Sequence, residues 1–144
     1  MQLLVEAASR ARHTDAVKFA IDPASSEFSK KGHYDLTFKS EKRDDTQVVL
    51  SGDQLGDVYR GLAQEFPIGL LEDPFAEDDW QSWAAFLERH VEVNGDRFEI
   101  VGDDLLAINL DRMQLAHERK GNRSYCDKQP CYYANVCFSG VPSL

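Results

Sequence analysis

The chain is 144 residues long, 42% hydrophobic and 28% charged, with 25 acidic residues against 16 basic ones and a net charge of −9. This is long enough for one domain with a real core and too apolar for intrinsic disorder. The acidic balance argues against nucleic acid or an anionic membrane as partner and suits hard cations such as Mg²⁺.

No apolar run reaches the ~20 residues a membrane span needs. The opening MQLLVEAASRARH has its apolar residues first and its charges after, unlike a secretory signal, so a cytoplasmic location is expected. Leu3, Leu4, Ala7, Ala8 and Ala11 recur at helical spacing and predict an amphipathic first helix. VKFAID, 17–22, then reads as a short strand. HYDLTFK, 33–39, alternates apolar and polar residues as an exposed strand would, hairpinned with the SSEFS segment before it. SEKRDDTQ, 40–47, is a polar loop.

Ser51 with Gln54 forms a capping-box pattern ahead of Leu55, Val58, Tyr59, Leu62 and Phe66, which predicts the second helix. PIGLLEDP supplies the second strand. Asp78 or Asp79 caps a third helix with Trp80, Trp83, Ala84 and Leu87 on one face, and both tryptophans are expected in the core. Asn94-Gly95 marks a turn, FEIVGDDL a third strand, and Arg112 to Lys120 a fourth helix. Strands with little polar alternation, separated by amphipathic helices, predict an α/β fold with a parallel sheet.

The three strands share a feature: VKFAID ends in Asp22, IGLLED in Glu72 and Asp73, FEIVGDD in Asp103 and Asp104. Parallel strands deliver their C-terminal ends to one edge, where α/β proteins build their sites. Carboxylates gathered there repel one another, and a divalent cation removes the conflict. Any single acid after a strand reads better as a helix cap or turn closer, Asp73 before Pro74 and Asp104 before Leu105 included. The series of three favours a shared Mg²⁺ site at Asp22, Glu72 and Asp103. A phosphoacceptor receiver domain also has acids at strand ends, but these come in the wrong order and spacing for it.

FAIDPASSEF, HYDLTFK, PIGLLEDPFAEDDWQSW and EIVGDDLLAIN together resemble the enolase family, from about Leu3 to about Lys120. The resemblance implies a partial (β/α) barrel over residues 1–120, with a small β-hairpin insertion. It also implies that Asp22, Glu72 and Asp103 bind Mg²⁺, with Glu72 and Asp103 beside the substrate, 2-phosphoglycerate. The reaction would be dehydration to phosphoenolpyruvate in glycolysis, with a lysine base taking the C2 proton and a glutamic acid assisting loss of the C3 hydroxyl. The family is commonly homodimeric, with part of that interface expected outside this segment.

The likeness stops after Lys120. The acid-side glutamates, the upstream histidine, and the later histidine, serine and second lysine of the family have no counterpart in this sequence. Where the family continues L-L-L-K-V-N-Q, this chain reads GNRSYCDKQPCYY. Ungapped counting puts Lys128 at the base position, but Pro130 beside it is foreign to a buried strand. Catalytic residues are therefore left unassigned. Residues 121–144, with Cys126, Cys131 and Cys137 at no zinc spacing, read as a divergent tail outside the fold. His13, His33, His90 and His117 have no ligand spacing. The expected function is thus an enolase-like Mg²⁺-dependent lyase whose chain is inactive alone. The alternative is a non-catalytic fragment with at most weak cation or partner binding.

Overall fold

The computed structural model describes residues 1–40, 47–90, 92–93, 96–97 and 99–119. The expectations for the tail, for Lys128 and for the Asn94-Gly95 turn lie outside these residues, as does most of the polar loop.

The elements in chain order are α1 (Gln2–Arg10), β1 (Phe19–Ile21), β2 (Ser29–Lys30), β3 (His33–Asp35), β4 (Val49–Ser51) and α2 (Gly52–Glu65). They continue with β5 (Ile68–Glu72), α3 (Trp80–His90), β6 (Glu92–Val93), β7 (Asp96–Arg97), β8 (Glu99–Val101), α4 (Asp103–Leu106) and α5 (Leu110–Arg119). The three predicted strands form one parallel sheet in the order β1-β5-β8, with Ile21 beside Leu71 and Glu72 beside Val101. Among the described residues the sheet does not close into a barrel.

The hairpin insertion is larger than the alternation suggests. β2 and β3 pair antiparallel across Lys31 and Gly32, both at positive φ (54° and 76°), the signature of a two-residue turn that matches strand twist. β4 then pairs with β3, making a three-stranded sheet. β3 ends at Asp35 rather than Lys39, because the Asp35 carboxylate accepts from the Thr37 amide (2.9 Å) and hydroxyl (2.6 Å) and turns the chain. Nor is the strand wholly exposed: Tyr34 is fully buried and donates its hydroxyl to Asp79 (2.7 Å).

The Ser51/Gln54 capping box is formed in both directions, as the pattern predicts. α2 buries Leu55, Gly56, Tyr59 and Ala63, whereas Val58 lies exposed. At the start of α3, Asp79 accepts from the Ser82 amide (3.2 Å), so Asp79 is the cap. The buried face of α3 is Trp83 and Phe86; Ala84 is exposed, correcting the face read from spacing. Trp80 is half-buried beneath the guanidinium groups of Arg112 and Arg119. Arg112 also donates to Asp78 and to the carbonyls of Glu77 and Leu105, which fastens α5 to the segment after β5.

Phe75 is the hub of the core, edge-on to Tyr34, Tyr59, Trp83 and Phe86 at centroid distances of 5.4 to 6.1 Å. α1 forms as predicted, yet its apolar stripe is uncovered among the described residues, with Leu3 80% exposed.

α2 and α3 approach so closely that a Cβ on Gly52 would lie 1.8 Å from Ser82 Oγ and 2.7 Å from Ser82 Cβ. The hydroxyl can rotate away, but the Cβ cannot. Gly52→Ala is therefore expected to cost about 1–3 kcal/mol by forcing the helices apart. A urea midpoint unchanged from wild type would sink that expectation.

Candidate metal-side site at the carboxyl edge of the sheet

The site begins with how the strands end. β5 runs apolar through Leu71 because both of its neighbours pair with it, and Pro74 bars its continuation. Asp22 follows β1 directly, Glu72 closes β5, and Asp103 opens α4 two residues beyond β8. The parallel register thus sets all three at the same edge on adjacent strands.

Glu72 is half-buried, and its carboxyl is raised above the usual range, first by burial and then by the charges of Asp22, Asp103 and Asp104. The three candidate residues therefore share one electrostatic environment. Asp22, Asp103 and Asp104 are exposed there.

The side chains themselves stand apart. Asp22 turns back on its own loop, accepting from the Ala24 amide at 3.0 Å. Among the described residues no group of three or more His, Cys, Asp or Glu side chains is drawn together tightly enough to hold a metal ion. Like charges without a cation between them repel, and Asp22 has an amide as an alternative partner. The donor set, all hard carboxylate oxygens at one edge, fits Mg²⁺ in chemistry. Its arrangement is open; Asp22 Oδ1 accepts the Ala24 amide, and a carboxylate keeps a second oxygen that can face a cation.

Sequence spacing singles out the three flanking acids but leaves Asp73 as a turn closer. Its position is more central than that. Asp73 is 3% exposed and sits at φ +40°, in the left-handed region. Its amide donates to the Val101 carbonyl (2.9 Å), its carbonyl accepts from the Ser25 amide (3.2 Å), and its Oδ2 accepts from the Asp104 amide (3.0 Å). Its Oδ1 is buried without a hydrogen-bond partner among the described residues. Burial pushes the Asp73 carboxyl up to about 6, against the lowering effect of the Asp104 amide. The available signal was the Asp-Pro dipeptide, which marks a turn but not the strand the turn reaches.

Behind this edge, Ser25 is fully buried and donates to the Pro74 carbonyl (2.9 Å). That leaves Tyr59 as donor in the 3.1 Å contact between the two hydroxyls. The loop after β1 is thereby stitched to the loop after β5. No described helix is long and apolar enough to cross a membrane.

The family model for the enolase C-terminal TIM barrel domain matches residues 1–127, a span that includes all three parallel strands and every carboxylate at their edge. The chain thus belongs to the enolase C-terminal TIM barrel domain family.

Proposed function

We propose that this chain carries the metal-side half of an enolase-like lyase site, with Asp22, Glu72 and Asp103 as ligands of Mg²⁺. The observation that supports it most is the parallel register, which sets Asp22, Glu72 and Asp103 at one edge on adjacent strands; the Glu72 carboxyl is raised there first by burial and then by the charges of Asp22, Asp103 and Asp104. The substrate of the parent reaction would be 2-phosphoglycerate, dehydrated to phosphoenolpyruvate in the cytoplasm. Bound Mg²⁺ supplies Lewis-acid stabilisation of the charge that grows on the substrate carboxylate as the C2 proton leaves.

The chain's own residues bind and orient. Glu72, half-buried and flanked by the other two acids, is the natural centre of the set. Asp103, on the short helix after β8, approaches from one side and Asp22 from the other. The acid and base that move protons are not assigned to residues of this chain. A second reading, a non-catalytic cation-binding or partner-binding fragment, draws support from the open arrangement of the side chains.

Isothermal titration with Mg²⁺ tests the ligand set. Wild-type chain is expected to bind weakly, and Glu72→Gln, which keeps the shape but removes the central charge, is expected to bind at least ~10-fold more weakly, or about 1.4 kcal/mol. Equal affinities would remove Glu72 from the site and the reading with it.

A further inference from the structure

One residue touches all three ligand-bearing segments, and it is not one of the proposed ligands. Asp73 follows Glu72 directly. Through its carbonyl it holds Ser25, three residues beyond Asp22, and through its amide it holds Val101, two residues before Asp103. Those two bonds are made by backbone atoms, but they depend on the left-handed turn at Asp73, which Asp and Asn tolerate far better than other side chains. The third bond belongs to the side chain: Oδ2 accepts the Asp104 amide, which fixes the Asp103–Asp104 peptide and hence the base from which the Asp103 carboxylate extends.

A carboxylate costs free energy when buried, and Asp73 is almost fully buried with one oxygen unpartnered. An apolar residue would serve the core better, and a glycine would serve the turn better. Neither could accept the Asp104 amide. The residue type matches the combined demand for a left-handed backbone and an acceptor aimed at the neighbouring strand end.

Resting on the metal reading above, we infer that Asp73 is a positioning residue that sets the affinity of the Asp22, Glu72 and Asp103 set by holding the Asp103 peptide in register with Glu72. It does so without ligating the ion. Partners of metal ligands act in this way elsewhere, and their loss costs roughly 10–100-fold in affinity.

Two variants separate positioning from charge. Asp73→Asn keeps an acceptor oxygen for the Asp104 amide and tolerates the left-handed turn; Asp73→Ala does neither. Both remove the charge, so the gap between them isolates the geometry. Mn²⁺ serves as the probe, read by electron paramagnetic resonance on the full chain. Amide exchange at Asp104 is followed by NMR in the same samples without metal.

The Ala variant is expected to bind Mn²⁺ about 10-fold or more weakly than the Asn variant, and to lose the protection of the Asp104 amide that wild type and Asn retain. Gly52→Ala, destabilised away from this edge, is expected to keep wild-type Mn²⁺ affinity and so controls for general loss of stability. Equal affinity in Asn and Ala, or a weakening in Gly52→Ala as large as in Ala, would overturn the inference while leaving the ligand set standing. Absence of Mn²⁺ binding by wild type would overturn the ligand set itself, and this inference with it.

Discussion

Purified chain supplied with saturating Mg²⁺ is expected to leave 2-phosphoglycerate unconverted, with phosphoenolpyruvate absorbance rising no faster than background. The reaction that the family resemblance implies needs a base at C2 and an acid at the leaving C3 hydroxyl. Among the described residues, the titratable groups at the carboxyl edge of the sheet are Asp22, Glu72, Asp73, Asp103 and Asp104, all carboxylates. Three of them are proposed for the cation, Asp73 is committed to the Asp104 amide, and the Asp104 side chain stands exposed to solvent. General acid and general base each contribute about 10²–10⁴-fold, so a site in which neither is assigned among the described residues is expected to forfeit most of its acceleration. The open arrangement adds to the loss, because a cation and substrate held without fixed geometry gain little from proximity. Turnover above background that disappears in Glu72→Gln would defeat this expectation and make Lys128 the next residue to substitute.

Phe75→Ala is expected to be the most damaging single core change. The ring is 1% exposed and packs edge-on against Tyr34, Tyr59, Trp83 and Phe86, which come from the inserted sheet, α2 and α3. Truncating a buried phenylalanine to alanine costs about 3–5 kcal/mol through lost transfer energy and the cavity left behind. Relaxation cannot fill this cavity cheaply, because Tyr34 is held to Asp79 and Tyr59 to Ser25, so two of the four neighbouring rings are tethered. Against a total stability of about 5–15 kcal/mol for an ordinary domain, that loss leaves little native chain. Urea unfolding followed by far-ultraviolet circular dichroism measures it. A cooperative transition less than about 1 kcal/mol below wild type would show that Phe75 is not the centre of the core.

The parallel strands were legible because burial on both faces leaves a nearly unbroken apolar run, as in Ile68 to Leu71, which periodicity detects directly. The Ser51 box was legible because both of its partners lie within three residues. Elements whose logic is not local were not. β4 has only Val49 to Ser51, and its reason for being a strand is β3, across a loop. α4 has four residues, too few to show a period. Ala84 and Phe86 lie on opposite faces of α3, each next to Trp83 in the helical wheel or the chain, and packing against the ring of Phe75 selects the Trp83–Phe86 face for burial.

The acids at strand ends were legible for the same reason as the strands, as punctuation after apolar runs. The importance of Asp73 was hidden because its side-chain partner, Asp104, is far away in sequence and adjacent only across the sheet. The helical period of α1 announced a helix correctly, while what should cover Leu3 and Leu4 is not a property of that segment.

The parallel sheet and the inserted sheet differ in how far apart along the chain their partners lie, and this bears on their order of assembly. Ser29 meets Tyr34 across a two-residue turn, and Tyr34 meets Leu50 across one loop. Ile21, by contrast, meets Leu71 only after the whole inserted sheet and α2 have been passed. Closing a longer loop costs more entropy before any contact repays it, and parallel pairing has no tight turn to start from. The topology therefore favours the inserted sheet and α2 as the early scaffold, with the parallel strands docking onto it afterwards. On that order the acidic edge, which exists only once β1, β5 and β8 lie side by side, is expected to come together late, where its mutual repulsion weighs on a closing step of folding and not on the first.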